Sequence, residues 1–155
     1  MDPAVTCCFS GHRPVRLPWG RNEADPRCLA LKARLDQALE EAHRQGFRHF
    51  LCGMAQGADL YFCQAVLDLR QRHPEAAIPF AGQADHWSAA DQRRRMTLLD
   101  QCDLETVVQH TYTPGCMNRR NRYMVDRSSL LIAVYDGIPQ GGTLNTLSYA
   151  MGKGV

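Results

Sequence analysis

Apolar positions along the chain follow two rhythms, and the switches between them mark out the elements. Ala4 to Phe9 is a short, mostly apolar run that stops at Ser10-Gly11, the signature of a buried strand. Pro14, Pro18, Gly20 and Pro26 then mark a long irregular connection. Cys28, Leu29, Leu31, Leu35, Ala38, Leu39 and Ala42 recur at helical spacing up to Gly46, which predicts an amphipathic helix. Phe47 to Cys52 repeats the strand signal, and a second helix is expected from about Asp59 to Arg72, ended by Pro74. Ala76 to Ala81 reads as a weaker third strand, with Pro79 pointing to an edge position. Ser88 can cap a helix over Ala89 to Cys102, and Leu104 to Gln109 is a fourth strand. The Arg- and Asn-rich segment from Pro114 to Ser129 is expected to be helical from Met117 onward. Leu130 to Tyr135 is the most hydrophobic strand, and a last helix runs from Thr143 to about Met151.

Strands alternating with helices imply parallel pairing through right-handed crossovers. The expected fold is therefore α/β, a Rossmann-like three-layer α/β/α sandwich around a mostly parallel sheet of about five strands, one domain over residues 1–155. In such sheets ligands bind outside the carboxyl ends of the strands, where strand order reverses. Three glycine-bearing turns follow strands, at Ser10 to Pro14, Gly53 to Asp59 and Asp136 to Thr143, and should gather there.

Composition narrows the function classes. The 155 residues carry a net charge of only +2, too weak a field to argue for nucleic acid or an anionic membrane on its own. Sixteen arginines against Lys32 and Lys153 supply forks suited to phosphate, an excess that a GC-rich genome also explains. The seven cysteines form no Cys-x-x-Cys pair, no basic and apolar leader precedes them, and no apolar run approaches the ~20 residues of a membrane span. The expectation is a cytoplasmic protein with reduced core thiols, no metal and no membrane partner.

Gly141-Gly142-Thr143 is the sharpest chemical signal: glycines let amides curl toward an anion, and Thr143 opens a helix whose free N–H groups favour phosphate. An ordinary turn with Thr143 as helix cap is the alternative. In the second turn, Gly53 to Asp59, Gly57 can let a ligand or another backbone approach, while Asp59 can accept ribose hydroxyls or cap its helix. After the first strand, Arg13 can clamp phosphate, and His12 can act as a general base or as a hydrogen-bonding wall. On the Arg/Asn-rich helix, Asn118, Arg122 and Val125 are expected on one face, with Asn121 and Asp126 elsewhere. Trp87 can stack on a base or pack at the sheet's rim. Arg93 to Arg95 read as a solvated surface.

Together, Cys8 to Pro14, Gly53 to Asp59, Cys116-Met117 with Arg120-Asn121, Tyr123 to Asp126, and Tyr135-Asp136-Gly137 with Gly141 to Thr143 resemble the YpsA-like family of the SLOG superfamily, over nearly the whole chain. The resemblance implies a Rossmann-like fold related to LONELY GUY-type phosphoribohydrolases and DprA-type DNA-processing proteins, and a nucleotide-derived ligand such as an ADP-ribose-like or NAD-like molecule. It implies a binding turn at Gly11, His12 and Arg13, a second at Gly53, Gly57 and Asp59, a phosphate turn at Gly141, Gly142 and Thr143, and Asn121 and Asp126 near the pocket wall. The phosphoribohydrolases place a glutamate three residues after the threonine, where this chain has Thr146. A hydroxyl does not stabilise the oxocarbenium-like charge of N-glycoside cleavage as a carboxylate does.

The leading reading is a binding or sensing domain for a nucleotide-derived ligand, with Arg13 and, after it, Arg120 as phosphate contacts. A nucleotide hydrolase using Asp59, Asp126 or His12 is the alternative, and single-stranded DNA binding through Arg93 to Arg95 with Arg119, Arg120 and Arg122 is a third. A homodimer is compatible with all three. The chain ends at Gly152-Lys153-Gly154-Val155, where a sheet of this kind usually enters another strand.

Overall fold

A computed structural model describes residues 2–53, 56–74, 79–81, 93–94, 96–98, 104–106, 116–135 and 142–155. Trp87, Ser88, most of the helix expected over 89–102, strand residues 76–78 and 107–109, and the turn residues 54–55 and 136–141 lie outside them.

The strands are β1 (Thr6–Gly11), β2 (His49–Leu51), β3 (Pro79–Ala81), β4 (Leu104–Thr106) and β5 (Leu130–Val134). The helices are α1 (Pro26–Arg44), α2 (Ala58–Arg72), α3 (Cys116–Asp126) and α4 (Gly142–Lys153). β1 lies between β2 and β5, parallel to both, with Cys7 opposite Phe50 on one side and Leu130 on the other. β3 and β4 form a parallel pair, and β3 lies alongside β2. The protein is thus mixed α/β with parallel strand pairing, as the alternation of periods predicts.

Boundaries differ from the sequence reading where side chains compete for backbone groups. β1 begins two residues late because Asp2 caps a 3-10 turn over Pro3–Val5, its carboxylate accepting from the Ala4 amide. α1 begins earlier than Cys28 because Asp25 accepts from the Arg27 amide and Pro26 takes the first helical position. β2 begins two residues later than Phe47 because the Phe47 amide still bonds to Ala42 in the cap of α1.

Alternation along the strands sorts the core into two faces. Cys7, Phe9, Phe50 and Cys52 face α1 and α2, where Phe9 stacks on Phe62 with ring centroids 4.5 Å apart. Cys8 and Leu51 face the other way, against Met124 and Val125 of α3 and Ala150 of α4. Each fully buried phenylalanine contributes about 1.5–3 kcal/mol. β5, although the most hydrophobic strand, is only half-buried, because β1 and not β5 is the middle strand. Cys7, Cys8, Cys28, Cys52 and Cys63 are buried free thiols, and burial pushes the Cys8 thiol up to about 11, which leaves it unreactive near neutral pH. No helix among the described residues is long and apolar enough to cross a membrane.

The connection from His12 to Asp25 is anchored by buried Leu17 and by Trp19, whose indole donates to the Tyr61 hydroxyl at 3.2 Å. Glu23 ties this connection to the rest, accepting from Lys32 at 2.9 Å and from both terminal nitrogens of Arg94. Arg94 is therefore ion-paired, whereas Arg93 is exposed. Partial burial alone would push the Glu23 carboxyl up, but the hydrogen bonds from Arg94 and Lys32 outweigh it and hold it below the ordinary carboxylate range. A depressed folded-state value stabilises the fold above the ordinary glutamate range and loses that contribution as pH falls through the depressed value. Glu23→Gln is accordingly expected to lower the thermal midpoint modestly at pH 7. The gap between variant and wild type should close as melts are taken to pH 3; a gap constant with pH would refute the ion pairing.

Candidate functional site

The site follows from the topology. β1 is followed by a crossover to β2 on one side and has β5 on the other, so strand order reverses between β1 and β5, and their carboxyl ends define the crevice. His12, the first residue after β1, is buried there. Its Nδ1 lies 3.4 Å from the Thr143 hydroxyl on the first turn of α4, and its ring is 6.0 Å from that of Tyr135, the residue after β5. Two residues 131 positions apart thus meet at the point where the sheet opens. Arg13 is exposed and, among the described residues, makes no salt bridge.

The glycines of the first two turns fit these turns onto each other. A Cβ on Gly11 would stand 2.7 Å from that of Ala58 and 2.9 Å from the Phe9 ring, so the start of α2 rests directly on the end of β1. Gly57 has φ +80°, a conformation that suits glycine alone, and a Cβ there would stand 2.8 Å from the His12 carbonyl oxygen. That carbonyl accepts from the Ala58 amide at 3.1 Å, so the first turn is hydrogen-bonded to the start of α2. Gly57 also holds the cap position of α2, which corrects the option of Asp59 as cap.

Asp59 instead sits buried in the first turn of α2, near its positive dipole end. The guanidinium of Arg120, also buried, lies 3.9 Å from its carboxylate. Arg120 further donates to the Gly53 carbonyl at 3.2 Å and, through Nε and Nη2, to the Asn121 side-chain oxygen at 3.2 and 2.8 Å. A Cβ on Gly53 would strike this guanidinium at 2.6 Å. Arg120 is thus an internal strut joining α3 to the second turn. Its guanidinium is directed into the protein, which corrects its reading as a phosphate contact and removes it from any stripe of arginines facing a nucleic acid.

Asn121 is buried beside it, but Asp126 is not brought to the crevice. Asp126 is exposed at the far end of α3, accepting from the Tyr149 hydroxyl at 2.6 Å and facing Lys153 at 3.5 Å. The expected split of α3 faces is corrected as well. Asn118, Asn121 and Arg122 all line one cleft with Asn145, Thr146, Ser148 and Tyr149 of α4, while Val125 is buried against the sheet. Positions i, i+3 and i+4 share a helix face, and the same spacing was the signal available for these polar residues in the sequence. The cleft holds about 350 Å³. Thr146, in the place of the phosphoribohydrolase glutamate, is buried at its wall.

Gly142 is the first residue of α4, while Gly141 and Trp87 lie outside the described residues. Among the described residues, no three His, Cys, Asp or Glu side chains gather as metal ligands. A larger groove of about 790 Å³ lies at the opposite edge of the sheet, between the C-terminal ends of α1 and α2. Its charged groups pair with one another, Glu40 with both Arg72 and His73, and helix C-termini repel anions, so the crevice is the better candidate.

Among relatives, the chain is 33% identical over 143 residues to the uncharacterized SPbeta prophage-derived protein YoqJ of Bacillus subtilis strain 168, covering 81% of this chain and 83% of that protein. It is 26% identical over 144 residues to UPF0398 protein YpsA of the same organism, covering 86% and 77%, and 24% identical over 142 residues to UPF0398 protein SH1465 of Staphylococcus haemolyticus, covering 88% and 75%. The family model described as the YspA SLOG family matches residues 7–152, from the first strand through the last helix, and the chain belongs to that family.

Proposed function

We propose that the protein binds a nucleotide-derived ligand in the crevice at the carboxyl ends of β1 and β5, as a binding or sensing domain of the cytoplasm. The observation that carries this reading is the meeting of His12 and Thr143 at the strand-order reversal, with the N-terminus of α4 opening onto it. Amides at a helix start and the positive end of its dipole favour a phosphate. In this reading the five strands form one Rossmann-like sheet in the order β4-β3-β2-β1-β5, and Gly141, Gly142 and Thr143 cradle the phosphate. Arg13 supplies a bidentate fork from the opposite lip. In this reading His12, held between Thr143 and Tyr135, serves as a hydrogen-bonding wall rather than a base.

Asp59 is buried opposite the Arg120 guanidinium, an arrangement that suits a structural pair rather than a catalytic acid. Together with Thr146 in place of a glutamate, this favours binding over glycosidic hydrolysis.

Calorimetric titration with ADP-ribose, NAD and nucleoside monophosphates is expected to show saturable binding by at least one of them. Arg13→Ala should weaken it by about tenfold, the value of one charge-assisted hydrogen-bonding group. Gly142→Asp should weaken it further, because a carboxylate would stand where the phosphate binds. Absence of binding at millimolar ligand, or unchanged affinity in both variants, would overturn the reading. Chromatography of the same mixtures for released base tests the hydrolytic alternative directly.

A further inference from the structure

The cleft between α3 and α4 has a chemistry unlike that of the crevice beside it. α4 starts at the carboxyl end of β5, and α3 leads into the amino end of the same strand, so both helices begin at the crevice edge of the sheet and run side by side away from it. Thr146 follows Thr143 by three residues, which at ~1.5 Å per residue places the cleft about one helical turn from the phosphate position. Its volume of about 350 Å³ is at the small end for ligand pockets, room for a ring system but not for a dinucleotide.

Among the described residues no carboxylate lines the cleft. Three amides, three hydroxyls and the Arg122 guanidinium line it instead, groups that match the mixed donors and acceptors of a heterocycle edge. One amide has its orientation set from behind. The Asn121 oxygen accepts from both Nε and Nη2 of Arg120, so the side chain has its NH2 left to donate. The planar group needed for stacking is present too, since the Arg122 guanidinium lies over the Tyr149 ring at 5.3 Å.

We infer that the α3–α4 cleft receives the heterocyclic base of a nucleotide whose phosphate lies at Thr143, with the Asn121 amide donating to a ring acceptor and Arg122 and Tyr149 forming the stacking surface. This rests on the nucleotide-binding reading above. It makes Arg120 a positioning residue, because its fork decides which end of the Asn121 amide is offered to the base.

The test is calorimetry of AMP, ribose 5-phosphate and inorganic pyrophosphate against the wild type and the doubly substituted Asn145→Leu/Ser148→Leu protein. Both substituted side chains are exposed, and thermal melts check that the variant folds. Wild type is expected to bind AMP at least about tenfold more tightly than ribose 5-phosphate, the discrimination of one good base contact. In the variant the ratio should collapse to near one. Equal affinities in wild type, or a ratio untouched by the substitutions, would overturn the base subsite while leaving nucleotide binding intact. Pyrophosphate bound more tightly than AMP, with that preference lost in Arg122→Gln, would make the cleft a second phosphate site and likewise overturn it. No binding of any of the three would overturn the base subsite, and the nucleotide reading is then decided by the titrations with ADP-ribose and NAD.

Discussion

Gly57→Ala is expected to destabilise the protein by about 2–5 kcal/mol, the sum of a backbone conformation that alanine resists and an overpacked contact. The residue has φ +80°, and the added methyl carbon would stand 2.8 Å from the His12 carbonyl oxygen and 3.0 Å from Pro14. The two costs can be separated with two other glycines. Gly46 has φ +103° with open space around it, so Gly46→Ala measures the backbone term, about 1 kcal/mol. Gly11 has no such φ but would meet Ala58 at 2.7 Å, so Gly11→Ala measures the packing term. Urea denaturation of the three variants should rank Gly57→Ala as the most damaging, with a thermal midpoint roughly 5–15 °C below wild type. A Gly57→Ala protein no less stable than Gly46→Ala would disprove the close seating of the first turn on the second.

The second large effect is expected at Arg120. Arg120→Met removes the cation facing buried Asp59 and the donors to Gly53 and Asn121, and one partner lost from a buried pair costs about 3–5 kcal/mol. The 3.9 Å separation from Asp59 places the expected loss near the lower limit. Adding Asp59→Asn removes the buried charge left behind, so the double variant should be more stable than the sum of the single losses predicts. Gly53 offers an independent check. Gly53→Ala should be strongly destabilising in wild type, where the new carbon would meet the guanidinium at 2.6 Å, and milder in an Arg120→Ala background, where that guanidinium is absent. Strict additivity in both cycles would show that Arg120 does not join α3 to the second turn.

These variants bear on the proposed function because the strut and the interlocked turns fix the elements around the crevice relative to one another. The first turn is set by its bond to α2, the second by Arg120, and the start of α4 by the contact of Thr143 with His12. Preorganisation of this kind lowers the ordering cost of binding. It also explains why hydrophobic residues alone do not build the site. Asp59, Arg120, Asn121, Thr143 and Thr146 are all buried polar groups, each tolerable only with partners.

Much of this was legible in the chain itself, and the limit is physical. The alternation of strand and helix periods depends on neighbouring residues, and so do the glycines that end strands. Parallel pairing follows from connections long enough to hold a helix, and with it the convergence of turns at one edge. His12, Thr143 and Asn121 were therefore nameable as candidates from local pattern and family resemblance. Side-chain direction was not. Whether Arg120 points outward to a phosphate or inward to Gly53 and Asp59 depends on residues 67 and 61 positions away, and no local spacing encodes that choice. The same holds for Asp126, taken up by Tyr149 and Lys153 on the next helix, and for the cleft formed only when α3 and α4 lie together. The sequence determined the order of elements and which glycine-bearing turns follow strands, because those depend on contacts within a few residues. The tertiary structure alone decided which polar groups face the crevice and which hold it together, because a buried charge settles wherever distant backbone and side chains can satisfy it.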